Sequence, residues 1–246
     1  MNEIIRSLKS RKSVRVYEDR EIPANIKHEI INAALQAPTA GNMTLYTILD
    51  ITDEEMKKRL SVTCDNQPFI AKAPMVLVFC ADYYRWYKVF CDCVDEVRVP
   101  EEGDLFLANA DALIAAQNTV VAAESFGIGS CYIGDIIENF EIHRELFGLP
   151  DYVVPCCMVC FGYPTAQQIA REKPKRFDIS DIVYENRYDT EKADRMKEML
   201  AEKQGLSDDE IGRWTEKFCE RKWNSDFSVE MSRSSREIIK YWCKKK

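Results

Sequence analysis

The chain has 246 residues, 46% of them hydrophobic and 30% charged, with 9 Gly and 9 Pro. Those proportions exclude collagen-like, low-complexity and disordered classes, and at about 150 residues per domain the length gives roughly 1.6 domains. The 34 basic and 41 acidic residues leave a net charge of −7, so no general attraction to nucleic acid is expected. With 2 histidines in the whole chain, only His28 and His143 are available to a histidine relay or a histidine zinc site.

Ile4, Ile5 and Leu8 recur at helical spacing and predict a short opening helix, which stops before Arg11-Lys12-Ser13-Val14-Arg15. Pro23 suits the first turn of a second helix with Ile26, Ile30, Ile31, Ala34 and Leu35 inward. Pro38 ends that helix, and Thr39-Ala40-Gly41-Asn42 reads as a loop. Tyr46 to Ile51 is a predicted strand, Asp53 a helix N-cap, and Pro74 to Ala81 a strand covered on both faces. A long alanine-rich helix is expected from about Asp104 to Phe126, stopped by Gly127, with Cys91 and Cys93 in a polar loop before it. Cys131 to Gly134 and Val153 to Phe161 read as strands, Phe140 to Phe147 as a helix, and Ile182 to Tyr184 as a last strand. From Thr190 onward charged residues dominate, Ser207-Asp-Asp-Glu210 has the capping-box pattern, and Ile238, Ile239, Tyr241 and Trp242 mark a final helix. Strands alternating with helices give an α/β or α+β core of about 185 residues with a helical extension.

The N-terminus has no apolar h-region, and the apolar stretch from Ala108 to Ile128 is broken by Asp111, Gln117, Asn118 and Glu124. No signal peptide or membrane span is therefore expected, and a cytoplasmic chain would keep its 10 cysteines reduced. Cys157-Met-Val-Cys160, with Cys156 beside it, has redox or metal spacing. Its setting inside a strand-like apolar run favours buried, structural thiols. Gly127-Ile-Gly129-Ser-Cys-Tyr-Ile-Gly134 is neither a dinucleotide fingerprint, which needs glycine at Tyr132, nor a P-loop, which needs lysine at Asp135.

What remains is a distributed constellation. Arg11, Lys12 and Arg15 flank Ser13, a set suited to a phosphate monoester. Thr39 to Asn42 offers small and amide residues, and Asn66-Gln67-Pro68 an amide pair ahead of a buried strand. In Tyr132-Ile133-Gly134 a glycine lets the backbone approach a planar ligand, and Lys173-Pro-Lys175-Arg176 follows Gly162-Tyr-Pro164 as a second cationic cluster.

In this order the motifs resemble the FMN-dependent nitroreductase family, in particular its oxygen-insensitive NADPH nitroreductases and flavin reductases, over nearly the whole chain. Arg11 to Arg15 is similar to that family's R/H-x-S-x-R phosphate motif, and Ala37-Pro-Thr-Ala-Gly-Asn42 to its A-P-S-x-x-N flavin loop. Gln67 matches an amide near the isoalloxazine or ribityl group, Ala122 to Gly129 the A-A-x-x-x-G-x-G helix exit, and Tyr132-Ile133-Gly134 the segment against the ring. The branch commonly shows K-P-R where this chain reads Lys173-Pro174-Lys175-Arg176, so Lys173, Lys175 and Arg176 all stand as candidates to approach the flavin.

The resemblance implies an α+β fold, a mixed and mostly antiparallel β-sheet flanked by helices. It implies an FMN-binding core over 1–189 and a helical extension over 190–246 that packs on the core or the partner subunit. It also implies FMN as cofactor, NADPH or NADH as reductant, and a homodimer with FMN near the subunit interface. The reaction would be ping-pong hydride transfer to a nitroaromatic, quinone or flavin, with no nucleic-acid or membrane partner and no catalytic side chain beyond the cofactor. The alternatives are a flavin sensor or storage protein with little turnover, and a metal protein built on Cys156, Cys157 and Cys160.

Overall fold

Two strands are buried at every position, and both are apolar but for Asp82 at the end of the first. In the computed structural model, which describes residues 1–243, they are β2 (Met75–Asp82) and β4 (Val153–Gly162), paired antiparallel at the centre of a four-stranded sheet. β1 (Tyr46–Asp50) lies outside β2 and β3 (Gly129–Ile133) outside β4, giving the order β1-β2-β4-β3 with every pairing antiparallel. The parallel element is an isolated bridge, Ser13 to Ser130, on the outer edge of β3. A register shift between Phe79 and Cys80 marks a bulge opposite the start of β4.

Helices cover both faces because every second residue on each must be buried. In chain order, the helices of the first unit are α1 (Glu3–Ser10), α2 (Ala24–Leu35), α3 (Glu54–Thr63), α4 (Tyr84–Cys93), α5 (Glu102–Ser125), α6 (Phe140–Phe147) and α7 (Ala166–Ala170). Ala108, Ala112, Ala115, Ala116 and Ala123 of α5 are fully buried with Leu77, Phe79, Val159 and Phe161 on one side of the sheet. Small side chains there let the helix sit close to the strands. By length and apolarity alone α5 could cross a membrane, yet its alanine face is the core of the fold. On the opposite side Val76, Val78, Met158 and Cys160 pack with Leu60 of α3 and Cys64 at its C-terminal cap. Asp53 caps α3 by accepting from Met56 N at 2.6 Å, as its position before the apolar run predicts.

The chain divides into two compact units, and the division differs from the expected 1–189 and 190–246. The first comprises Met1–Arg171 together with the last helix from Glu230 onward; the second is Glu172–Val229. The second unit holds α8 (Ile179–Ile182), α9 (Thr190–Asp194), α10 (Met196–Gln204) and α11 (Asp208–Lys222), the last opened by the expected Ser207–Glu210 capping box. The final helix, α12 (Asp226–Trp242), returns to the first unit, where Trp242 is fully buried and its Nε1 donates to Glu101 O at 3.1 Å. Composition hid this return, because charge-rich sequence runs without a break from the second unit into α12.

Two local expectations are corrected. Ile182 to Tyr184 is not a strand: a capping box between Asp178 and Asp181 starts a single turn of helix, α8, leaving Ile182 and Val183 57% and 61% exposed. Cys91 and Cys93 lie in α4, not in a loop, and both thiols are exposed.

Candidate functional site

The segment after α1 is laid along the sheet edge as a strap. Arg11 closes the helix by donating its N–H to Ser7 O, and the chain then extends. Val14 N donates to Ser130 O at 2.9 Å, Tyr17 bridges Pro164, and Tyr17 OH donates to Val14 O at 3.0 Å. Such close approach leaves no room for side chains on the strands beneath. A Cβ at Gly129 would lie 2.5 Å from Val14 Cγ2, and one at Gly162 would lie 2.5 Å from the Tyr17 ring.

The strap's cations serve different purposes. Arg11 is half-buried, and its Nη1 is buried without a hydrogen-bond partner. A buried guanidinium nitrogen left unpaired is costly unless an acceptor completes it. Arg15 has an exposed side chain, and its N–H donates to Gln168 Oε1 at 3.4 Å. Arg15, Ser13 and Arg11 all act on the Cys131 thiol, which places the three groups around one point. Burial still wins there and pushes that thiol up. Lys12 points elsewhere: its Nζ donates to Ile169 O at 2.7 Å and to Arg171 O, capping the end of α7. A cleft of about 330 Å³ opens beside Arg11, lined also by Glu124, Gly127, Gly129 and Gln168.

The loop after α2 is organised by one carboxylate. Asp111 of α5, 3% exposed, accepts from Thr39 Oγ1, from Ala40 N at 3.1 Å and from Leu45 N at 3.2 Å. Thr39 Oγ1 in turn accepts from Thr44 N at 2.7 Å. Thr39 therefore supports the loop from within, while Asn42 is exposed with a left-handed backbone (φ 58°) next to Gly41 (φ 56°). In the sequence, Asp111 counted only as an interruption of an apolar run, and nothing local connects it to residues 39–45.

Gln67 follows two left-handed residues, Asp65 (φ 58°) and Asn66 (φ 50°), and its amide nitrogen donates to Cys64 O at 3.0 Å. Tyr132 is half-buried on β3, with its hydroxyl on Gln117 Oε1 at 3.3 Å. Ile133 turns its side chain into the core, leaving its backbone for any ligand. Gly134 is exposed, and a Cβ there would meet nothing within 4 Å. Packing explains Gly129 and Gly162; it does not explain Gly134.

Lys173, Lys175 and Arg176 belong to the second unit, Lys173 half-buried and the other two exposed. That unit is held by local contacts, among them Lys203 Nζ 4.2 Å over the Phe177 ring and the stacked pair Tyr184 and Tyr188.

Neither histidine is placed for relay chemistry. His143 is fully buried, with Nδ1 on Ile136 O at 2.9 Å and Nε2 on Thr63 Oγ1 at 2.8 Å, and burial lowers its pKa. His28 pairs only with its neighbour Glu29 on exposed α2 surface. The thiols of Cys156, Cys157 and Cys160 are all pushed up by burial, Cys156 to about 12. Strand alternation sends Cys157 to the α5 side and Cys160 to the α3 side, so the pair does not form a chelate.

The sheet edge thus carries a cationic strap, an amide-bearing loop and an open glycine turn. Residues 8–163 match the sequence model of the Nitroreductase family. An FMN reductase (NADPH) of Bacillus subtilis is 29% identical over 248 residues, covering 100% of this chain and 98% of that protein. A Cr(VI) reductase of Pseudomonas sp. is 34% identical over 190 residues, covering 77% of this chain and 76% of that one. Among solved structures, NADPH:FMN oxidoreductase from Vibrio harveyi, complexed with NAD+, is 25% identical with a TM-score of 0.77, covering 97% of this chain and 98% of that one. B. megaterium NfrA1 is 26% identical with a TM-score of 0.83, covering 96% and 98%. The chain belongs to the Nitroreductase family.

Proposed function

We infer that the protein is an FMN-dependent NAD(P)H oxidoreductase acting on small flat acceptors: nitroaromatics, quinones or free flavin. The observation that carries the reading is the buried, unpartnered Arg11 Nη1 beside Ser13 and Arg15, a donor set suited to a phosphate. When bound, FMN would supply the redox chemistry of a ping-pong hydride transfer between NAD(P)H and the acceptor. The chain's part is to bind and orient. Arg11, Ser13 and Arg15 hold the phosphate, and Asn42 and Gln67 offer amides to the ring and its side chain. Gly134 presents bare backbone, while Thr39 acts through Asp111 to keep Asn42 in place. Lys12 stiffens the strap by tying it to α7. Lys173, Lys175 and Arg176 keep the role the family resemblance implies, as cations toward the flavin. No side chain is needed as a nucleophile, which accords with His143 being buried and neutral.

Ala108, Ala112, Ala115, Ala116 and Ala123 of α5 are spent on the chain's own sheet and leave the rest of the helix for a dimer contact. The other side of α5 exposes Phe106, Leu107, Leu113 and Ile114, and α1 exposes Ile4, Ile5 and Leu8. These apolar surfaces support a homodimer, which sedimentation would show as twice the chain mass.

The test is direct. Purified protein should be yellow, and NADPH or NADH added without oxygen should bleach it. A yellow protein that neither coenzyme bleaches is a binding module; one that takes up no FMN overturns the reading.

A further inference from the structure

Glu138 joins two of the segments assigned to the cofactor. It ends the short turn Gly134–Ile137, with its N–H on Asp135 O at 3.0 Å. Its side chain lies in a residue only 6% exposed, and Oε1 has no hydrogen-bond partner. The groups facing it are mostly acidic. Asp135 of the same turn hydrogen-bonds its carboxyl, Asp65 approaches from the loop after α3, and Glu230 from α12. Arg233 of α12 is committed to Glu230 and to Glu141 of α6, each at 2.8 Å. From α6 comes neutral His143; from α3 come the Cys64 thiol, itself pushed up by burial, and Arg59, which acts on His143.

Three carboxylates therefore surround a buried carboxyl that no cation among the described residues is placed to neutralise. As an acid, Glu138 donates a hydrogen bond to Asp135; as a carboxylate, it meets three like charges. Burial, then Asp135, Asp65 and Glu230, raise its pKa to about 7. Asp135 immediately follows Gly134, and Asp65 lies two residues before Gln67 across two left-handed positions. Repulsion at Glu138 thus acts on both segments together.

We propose that Glu138 is a positioning residue that holds a proton between the Gly134 turn and the Gln67 loop, keeping them at the spacing that grips the flavin and loosening them when it ionises. This rests on the flavin reading above. The test is FMN affinity, followed by flavin fluorescence, from about pH 6 to about pH 8.5 in wild type and in Glu138→Gln, which stands for the protonated acid. Titration of the FMN phosphate enters both proteins equally. The ratio of wild-type to variant Kd should be near one at the acid end and rise to about fivefold to tenfold at the alkaline end, as expected for ionisation of one coupled carboxyl. Asp65→Asn, which tolerates the left-handed backbone, removes one facing charge and should shrink the alkaline weakening even if Glu138→Gln folds poorly. A ratio that stays flat while both proteins bind FMN overturns the positioning role alone. Absence of FMN binding at every pH overturns the flavin reading, and this role with it.

Discussion

The strap Arg11–Tyr17 and the loop Thr39–Leu45 are both irregular segments beside the sheet, held in opposite ways. The strap borrows the edge of β3 and depends on what Gly129 and Gly162 lack, a Cβ. The loop runs into β1, where Asp82 N donates to Leu45 O, and it centres on one buried carboxylate, Asp111, that gathers a hydroxyl and two N–H groups, while Arg85 and Trp86 donate to its Thr44 and Met43 carbonyls. The strap's order thus rests on close backbone approach over two glycines, while buried N–H groups of the loop converge on a single carboxylate. Asn42, carried on that loop, depends for its position on a side chain remote in the sequence.

That contrast can be broken most readily at Asp111. Asp111→Ala strands buried donors and should lower unfolding free energy by about 3–5 kcal/mol in urea titrations. A loss under about 1 kcal/mol would mean the loop is held by other contacts. Gly129→Ala, which forces Val14 off the strand, should cost about 2 kcal/mol. Gly134→Ala should change the stability of the flavin-free protein by under about 0.5 kcal/mol and still weaken FMN binding. Equal costs at the two glycines would erase the distinction between packing and ligand glycines.

Two titrations sharpen the comparison beneath the loops. Glu138 has a raised pKa, so its stabilising protonated form is complete below about 4.5 and lost as pH rises through about 7. Glu138→Gln should then be more stable than wild type at about pH 8, by about 1–2 kcal/mol after allowance for solvent screening, and show little difference at about pH 4.5. His143 runs the other way. Its pKa is lowered, so the unfolded chain protonates first, and stability present above about pH 6.5 falls as the solution is acidified. Thermal midpoints from about pH 7.5 to about pH 5.5 should fall in wild type and be flatter in His143→Gln.

Much of this was legible in the sequence wherever one segment carries its own explanation. Val153–Gly162 reads as a buried strand because every residue is apolar or small, and Ser207–Glu210 reads as a helix start because the cap is local. α4 was harder to read, since the face it turns inward, Trp86, Tyr87 and Phe90, is aromatic and only half-buried and no capping residue opens it. The strap's cations and glycines stood out as a motif, yet the turning of Lys12 onto α7, the Gln168 contact to Arg15 and the reach of Asp111 span 66 to 159 positions of chain. Residues that face each other across such spans leave no pattern within either segment.

The central claim is that Arg11 and its neighbours on the strap hold the phosphate of FMN. Its most direct measurement compares the affinities of FMN and riboflavin in wild type and in Arg11→Ala. Wild type should prefer FMN, and losing one charge-assisted contact of about 1.5–3 kcal/mol should shrink that preference by about tenfold to a hundredfold. An undiminished preference in Arg11→Ala would contradict the account.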